Sequence, residues 1–211
     1  FVYATNGLSI VEHDFLTGQE RELETFPSPL ELWNRVRLHK GLSAAAEDKL
    51  LTPYNLQDRV PRYYQSIAIN RASEAILQGK TRVLLTLATG TGKTAIAFQI
   101  AWRLWQSRWN VSGEARRPRI LFLADRDVLI RDPYRKDFAP FGDARHRIEG
   151  NVVNTSREMY FATYQSIAED ESRAGLYKEY PADFFDLIIV DEAHRGSATA
   201  GGSWQGILDY F

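Results

Sequence analysis

Five consecutive residues, Gly90, Thr91, Gly92, Lys93 and Thr94, have the types and order needed to hold a phosphate. Two glycines let the backbone turn tightly with its N–H groups aimed inward, and a helix starting at the same point adds the positive end of its dipole. Lys93 would reach the β and γ phosphates of a nucleotide, and the Thr94 hydroxyl would ligate Mg²⁺. Ala88 and Thr89 complete the loop. One position departs from the general pattern G-x-x-x-x-G-K-[ST], because Leu87 stands where a small residue is expected.

A phosphate cradle alone binds nucleotide; hydrolysis also requires a carboxylate for the metal and a group to activate water. Asp191 and Glu192 supply both types at the end of the apolar run Leu187, Ile188, Ile189 and Val190. The carboxyl ends of parallel strands are where ligands bind, so Asp191 is expected to hold Mg²⁺ and Glu192 to orient and deprotonate the attacking water. His194 alone carries less weight, since a single histidine near a strand end is usually satisfied by a local hydrogen bond.

The elements that must position these groups follow from periodicity. Residues 82–87, 120–124, 159–163 and 187–190 read as short buried strands, and residues 64–78 and 93–109 as helices. Alternation of the two predicts an α/β fold with a mostly parallel sheet flanked by helices. Ahead of it, residues 1–3 and 8–11 read as short strands with a turn at Thr17 and Gly18, and residues 30–38 show helix-like apolar spacing after Pro27 and Pro29. Residues 41–61 are mixed and polar, which places a loose boundary near residue 60.

Composition bounds the remainder. Hydrophobic residues make up 44% and charged residues 25% of 211 residues, as in ordinary globular chains. No apolar run approaches the roughly 20 residues that cross a bilayer, so no membrane partner is expected and a cytoplasmic setting is. Cysteine is absent, which excludes disulfides and thiolate metal sites. Net charge is −1, yet residues 51–119 hold only Asp58, Glu74 and Glu114 as acids against eleven Lys and Arg. That basic zone reads equally as a solvated face or as a polyanion-binding surface.

Taken together, the loop from Ala88 to Thr94 resembles motif I, and Asp191, Glu192, Ala193 and His194 resemble the D-E-A-H motif II, of superfamily 2 helicases and translocases. Arg62, Tyr63, Tyr64 and Gln65 resemble the R-x-Y-Q adenine-recognition element of that superfamily. Gln65, able to donate and accept, would then read adenine and select ATP, with Arg62 stacking on or bonding near the base. Ile120 to Arg126 resembles motif Ia, and Phe161 to Ser166 resembles the T-Y-Q segment, so Arg126, Thr163 and Gln165 become candidate nucleic-acid contacts.

Within the superfamily the phrasing is most similar to the motor subunit of type I restriction enzymes. The phrases Tyr3 to Gly7, Glu12 to Asp14, Thr17-Gly18 and Phe26 to Pro29 resemble that family's junction between nuclease and motor. The resemblance implies a RecA-like P-loop domain at residues 61–211 and, at residues 1–60, the tail of an upstream nuclease-like domain with its connector. It further implies an ATP- and Mg²⁺-dependent translocase of double-stranded DNA that works with specificity and methyltransferase subunits. Nuclease carboxylates would precede Phe1 and the arginine finger would follow Phe211. A strand-separating DNA or RNA helicase shares every catalytic residue named, and a non-motor nucleotide switch would need neither Gln65 nor the segment from Thr163 to Gln165.

Overall fold

Three short strands, β1 (Val2–Thr5), β2 (Ile10–Asp14) and β3 (Gln19–Leu23), open the chain as an antiparallel sheet in that order. The computed structural model describes residues 1–56, 60–150, 152–168, 175–192 and 203–211. Helix α1 (Pro29–His39) starts at a capping box: the Ser28 hydroxyl accepts from Glu31 N, and the Glu31 carboxylate accepts from Ser28 N at 2.7 Å. This unit is held by charge, since α1 buries no residue. Glu12 of β2 is fully buried and accepts from both terminal nitrogens of Arg35 at 2.9 and 2.7 Å, from Arg21 Nε at 2.9 Å and from the Tyr3 hydroxyl at 2.8 Å. The Arg35 hydrogen bonds, working against desolvation, bring the Glu12 carboxyl down to about 2.

Helix α2 (Ala44–Leu50), which the mixed sequence of residues 41–61 did not foretell, is capped by Ser43 accepting from Ala46 N. Helices α3 (Tyr63–Leu77) and α4 (Lys93–Gln106) follow close to their expected bounds. Helix α4 stops three residues short of the expected end because Arg108 takes a left-handed φ of 53°, and Trp109 N turns back to the Leu104 carbonyl at 3.0 Å.

The second sheet contains β4 (Ile120–Ala124), β5 (Arg145–Arg147), β6 (Met159–Thr163) and β7 (Leu187–Val190), all parallel in the order β5-β6-β4-β7. Helix α5 (Asp127–Arg135) leaves the end of β4, the single-turn helix α6 (Tyr164–Ile167) leaves β6, and α7 (Ser203–Tyr210) closes the chain. One face of the sheet buries Phe122, Met159 and Phe161 against Phe98, Ala101 and Trp105 of α4 and Ile130 of α5. Leu121, Leu123 and Tyr160 on the opposite face meet Ile167, Tyr180, Phe184 and Ile207. Both faces are therefore covered, as an α/β sheet requires.

Residues 82–87 correct the sequence reading: they form no strand, and Leu84 is 86% exposed. Their apolar run has strand propensity, but a strand exists only through ladder bonds, and among the described residues none pairs with it. Leu87 alone packs inward, beside Leu187 of β7 and the α3–α4 interface.

Three faces of α4 have separate tasks. Ile96, Ile100 and Leu104 pack on Ile69, Ala72 and Ile76 of α3, while Phe98 and Trp105 face the sheet. Gln99 and Arg103, one turn apart, hold the connector: Gln99 accepts from Asn55 N at 3.0 Å and donates to Asn55 O at 2.7 Å. Buried Arg103 donates to the carbonyls of Thr52 and Leu50 and to the Asn70 side chain. Arg103→Ala should therefore cost about 2 kcal/mol, because it orphans buried carbonyl acceptors as well as removing packing. A denaturant midpoint unchanged from the parent protein would refute this assignment.

Candidate active site

The loop before α4 turns at its two glycines. Gly90 and Gly92 have φ values of 79° and 83°, and a Cβ on Gly92 would lie 2.5 Å from Gln65 Nε2. The positive φ strains any residue but glycine there, and a Cβ would also push the Gln65 amide from its place. The Thr91 hydroxyl donates to Ala88 O at 2.7 Å, closing the turn, while exposed Thr89 lies on its outer side. Gln65 Nε2 donates to Thr91 O at 2.8 Å and Gln65 Oε1 accepts from Arg62 N at 2.9 Å. Gln65 therefore ties the start of α3 to the phosphate loop, and the Tyr64 hydroxyl reaches the same carbonyl at 3.4 Å. The guanidinium of Arg62 donates to the Tyr64 hydroxyl at 3.3 Å.

Lys93 and Thr94 open α4, and Lys93 Nζ lies 3.1 Å from Glu192 Oε1, 99 residues later in the chain. The end of β7 is fixed by Asp191 N donating to Leu123 O at 2.8 Å, and by the Tyr164 hydroxyl donating to Asp191 O at 3.3 Å. Glu192 adopts a left-handed φ of 55°, a backbone strain for a residue with a Cβ. Burial, then the neighbouring Glu192 charge, raises the Asp191 carboxyl above its ordinary value, against a pull downward from Lys93. Burial and the nearby carboxylates of Asp125, Asp191 and Glu192 push the Tyr164 phenol up to about 12, so it stays a donor.

This donor set fits Mg²⁺. Asp191 and Thr94 would offer hard oxygens, and burial raises the Asp191 carboxyl where a divalent cation would favour its charged form. Among the described residues no group of three His, Cys, Asp or Glu could hold a metal ion. Mg²⁺ characteristically uses one or two protein oxygens together with substrate phosphates and water, and so needs no such cage.

The candidate nucleic-acid contacts sit at the carboxyl ends of β4 and β6, where Ala124 and Thr163 are in register. Gln165 Nε2 donates to Asp125 Oδ1 at 3.2 Å, and Arg126 Nε lies 3.7 Å from Asp125 Oδ2, its side chain 67% exposed. The Thr163 hydroxyl accepts from Ser166 N and caps α6. Asp125 thus gathers Arg126 and Gln165 at one strand end. His194, with its neighbours Ala193 and Arg195, lies outside the described residues.

Part of the basic zone is internal structure, while Arg62, Arg71, Lys80, Arg82 and Arg108 are exposed. Arg103 is buried, Arg116 pairs with Asp186 at 2.6 Å, Arg117 lies 3.6 Å over the Trp105 ring and Arg119 lies 4.5 Å over Phe184. Sequence reasoning missed Tyr164 as a support for Asp191, and it missed Arg147 of β5, which lies at the same carboxyl end of the sheet. An aromatic after a strand normally signals core, and the run Arg145, His146, Arg147 carries no strand signature.

The model of the family described as "Type III restriction enzyme, res subunit" matches residues 58–211. The chain is 44% identical over 220 residues to the type I restriction enzyme EcoAI endonuclease subunit of Escherichia coli, covering 100% of this chain and 26% of that protein. It is 35% identical over 163 residues to the EcoKI endonuclease subunit of Escherichia coli K12, covering 71% of this chain and 13% of that one. A solved fragment described as an HsdR subunit of a type I restriction enzyme from Vibrio vulnificus YJ016 superposes with a TM-score of 0.77 at 53% identity. That match covers 100% of this chain and 35% of the solved one. The chain thus spans about a quarter of the first relative's length and less of the second.

Proposed function

Because this chain belongs to the family described as Type III restriction enzyme, res subunit, a helicase-like family that includes type I relatives, we propose that residues 61–211 form an ATP-hydrolysing motor domain. In this reading the motor drives translocation of double-stranded DNA within a restriction complex that also contains specificity and methyltransferase subunits. Residues 1–60 are the end of a nuclease-like domain and its connector, a division supported by the family match beginning at residue 58. A cytoplasmic setting accords with it; among the described residues no helix is long and apolar enough to cross a membrane.

The observation that carries the reading is the 3.1 Å approach of Lys93 to Glu192, which joins the phosphate loop to the acidic strand end. The loop amides and Lys93 bind and orient the triphosphate, and Gln65, braced against Thr91, would read adenine with its amide. Thr94 and Asp191 would hold Mg²⁺, which supplies positive charge to the phosphate oxygens. Glu192 accepts a proton from water as the water oxygen attacks the γ-phosphorus, and the bond to the leaving ADP oxygen breaks.

The test is ATP turnover by the full-length protein, alone and in its assembled complex, with duplex DNA, single-stranded DNA or RNA added. Selective stimulation by duplex DNA is the expected result. Stimulation chiefly by single strands or RNA would replace the translocase with a strand-separating helicase.

A further inference from the structure

The carboxyl ends of β5, β6 and β4 enclose a cleft of about 440 Å³, lined by Asp125, Asp127, Arg147, Glu149, Thr163 and Gln165 among others. It opens at the same carboxyl end of the sheet as Asp191 but uses none of the nucleotide-site residues. Arg147 is its inner cation, with its side chain 27% exposed; Asp127 and Glu149 stand further out at 55% and 65%. Arg147 Nη2 binds Asp127 Oδ1, and Arg147 Nε lies 2.5 Å from Glu149 Oε1.

We propose that Arg147 is a contact for a phosphate of the DNA backbone, and that Asp127 and Glu149 mask it until a phosphate displaces them. The inference rests on the duplex-DNA reading above and adds to it a residue and a mode of engagement. A guanidinium has five N–H donors in a planar fork suited to two oxygens of one phosphate, and the two carboxylates engage Nε and Nη2, leaving Nη1 outside these pairs. Ion pairs as exposed as these contribute little net stability, whereas an arginine–phosphate pair is charge-assisted and often bidentate. Exchange is therefore favourable once DNA lies across the cleft.

The same carboxylates make the cleft selective. Among the lining residues Asp125, Asp127 and Glu149 outnumber Arg147, so a polyanion approaching at random meets net negative charge. Only DNA already held at the neighbouring strand end, by Arg126 or the Thr163 segment, would offer a phosphate close enough to compete for Arg147. Such a contact suits a motor that must grip and release a backbone without regard to sequence.

The experiment measures binding of a duplex oligonucleotide to the full-length protein by fluorescence anisotropy across a salt series. Arg147→Ala should weaken binding several-fold and reduce the slope of log affinity against log salt by about one. Arg147→Lys should retain most of that slope. The double variant Asp127→Asn, Glu149→Gln should bind several-fold more tightly, and adding Arg147→Ala to it should erase the gain. If removing the carboxylates weakens binding as much as Arg147→Ala does, with the thermal midpoint falling in parallel, Arg147 is a strut for the β5 edge and the proposal is wrong. Unchanged binding in every variant beside a parent that binds duplex well overturns this contact alone. A parent that fails to bind duplex overturns the translocase reading and this contact with it.

Discussion

Lys93→Ala should reduce ATP turnover by at least about 10²–10³-fold, the scale on which removal of a single preorganised charge stabiliser is felt. Lys93 begins α4 at the end of a loop that turns at two glycines of positive φ, so its ammonium is delivered from the first residue of the helix. Phosphoryl transfer involves little covalent chemistry for the protein to perform; positioning and neutralisation account for nearly all the rate. Alanine removes the neutralising charge and leaves the cradle intact. The fold should survive, because Lys93 and Glu192 have side chains 29% and 19% exposed and water can solvate the carboxylate left behind. Steady-state turnover at saturating ATP, with a thermal midpoint as control, decides the matter. Turnover within about tenfold of the parent would remove Lys93 from the catalytic machinery and leave it a structural partner of Glu192.

Why the sequence exposed this residue and concealed others is a matter of which forces are local. The loop from Ala88 to Thr94 is read from its own residues, since glycine conformation, lysine charge and helix start are all encoded within it. β4, β6 and β7 were equally legible, with the bounds found in the structure, because each is a continuous apolar run; β4 and β6 are buried on both faces and β7 is partly buried. Residues 82–87 share that composition but lack a ladder partner among the described residues, and no local pattern reports a partner. β5 shows the reverse: Arg145, His146 and Arg147 are poor strand residues recruited by pairing with Met159, Tyr160 and Phe161. Long-range polar contacts were the least visible. The bonds from Gln99 and Arg103 to the connector span some 44 to 53 positions, and those from Arg147 to Asp127 twenty. Hydrogen bonds and ion pairs across such distances depend on tertiary geometry, and residue type alone leaves their partners open.

Glu192→Gln should separate binding from chemistry, and the two directions of change follow from one contact. Glutamine matches glutamate in shape and can occupy the same left-handed backbone position, where φ is 55°. What it loses is the capacity to accept a proton from water, which should lower turnover by about 10²–10⁴-fold. What it also loses is a negative charge 3.1 Å from Lys93. Phosphate oxygens compete with that carboxylate for the ammonium, and the triphosphate is repelled by it, so ATP affinity should hold or increase. Relief of its charge should also let the Asp191 carboxyl fall back toward its ordinary range, since Glu192 is, after burial, the second cause of its rise. Titration calorimetry with ATP and Mg²⁺, set beside single-turnover hydrolysis, reads both effects. Lys93→Ala should lose affinity and rate together, whereas Glu192→Gln should lose rate alone. If Glu192→Gln instead binds ATP more weakly than the parent, the carboxylate is holding the phosphate loop in shape, and the proton acceptor must be sought elsewhere.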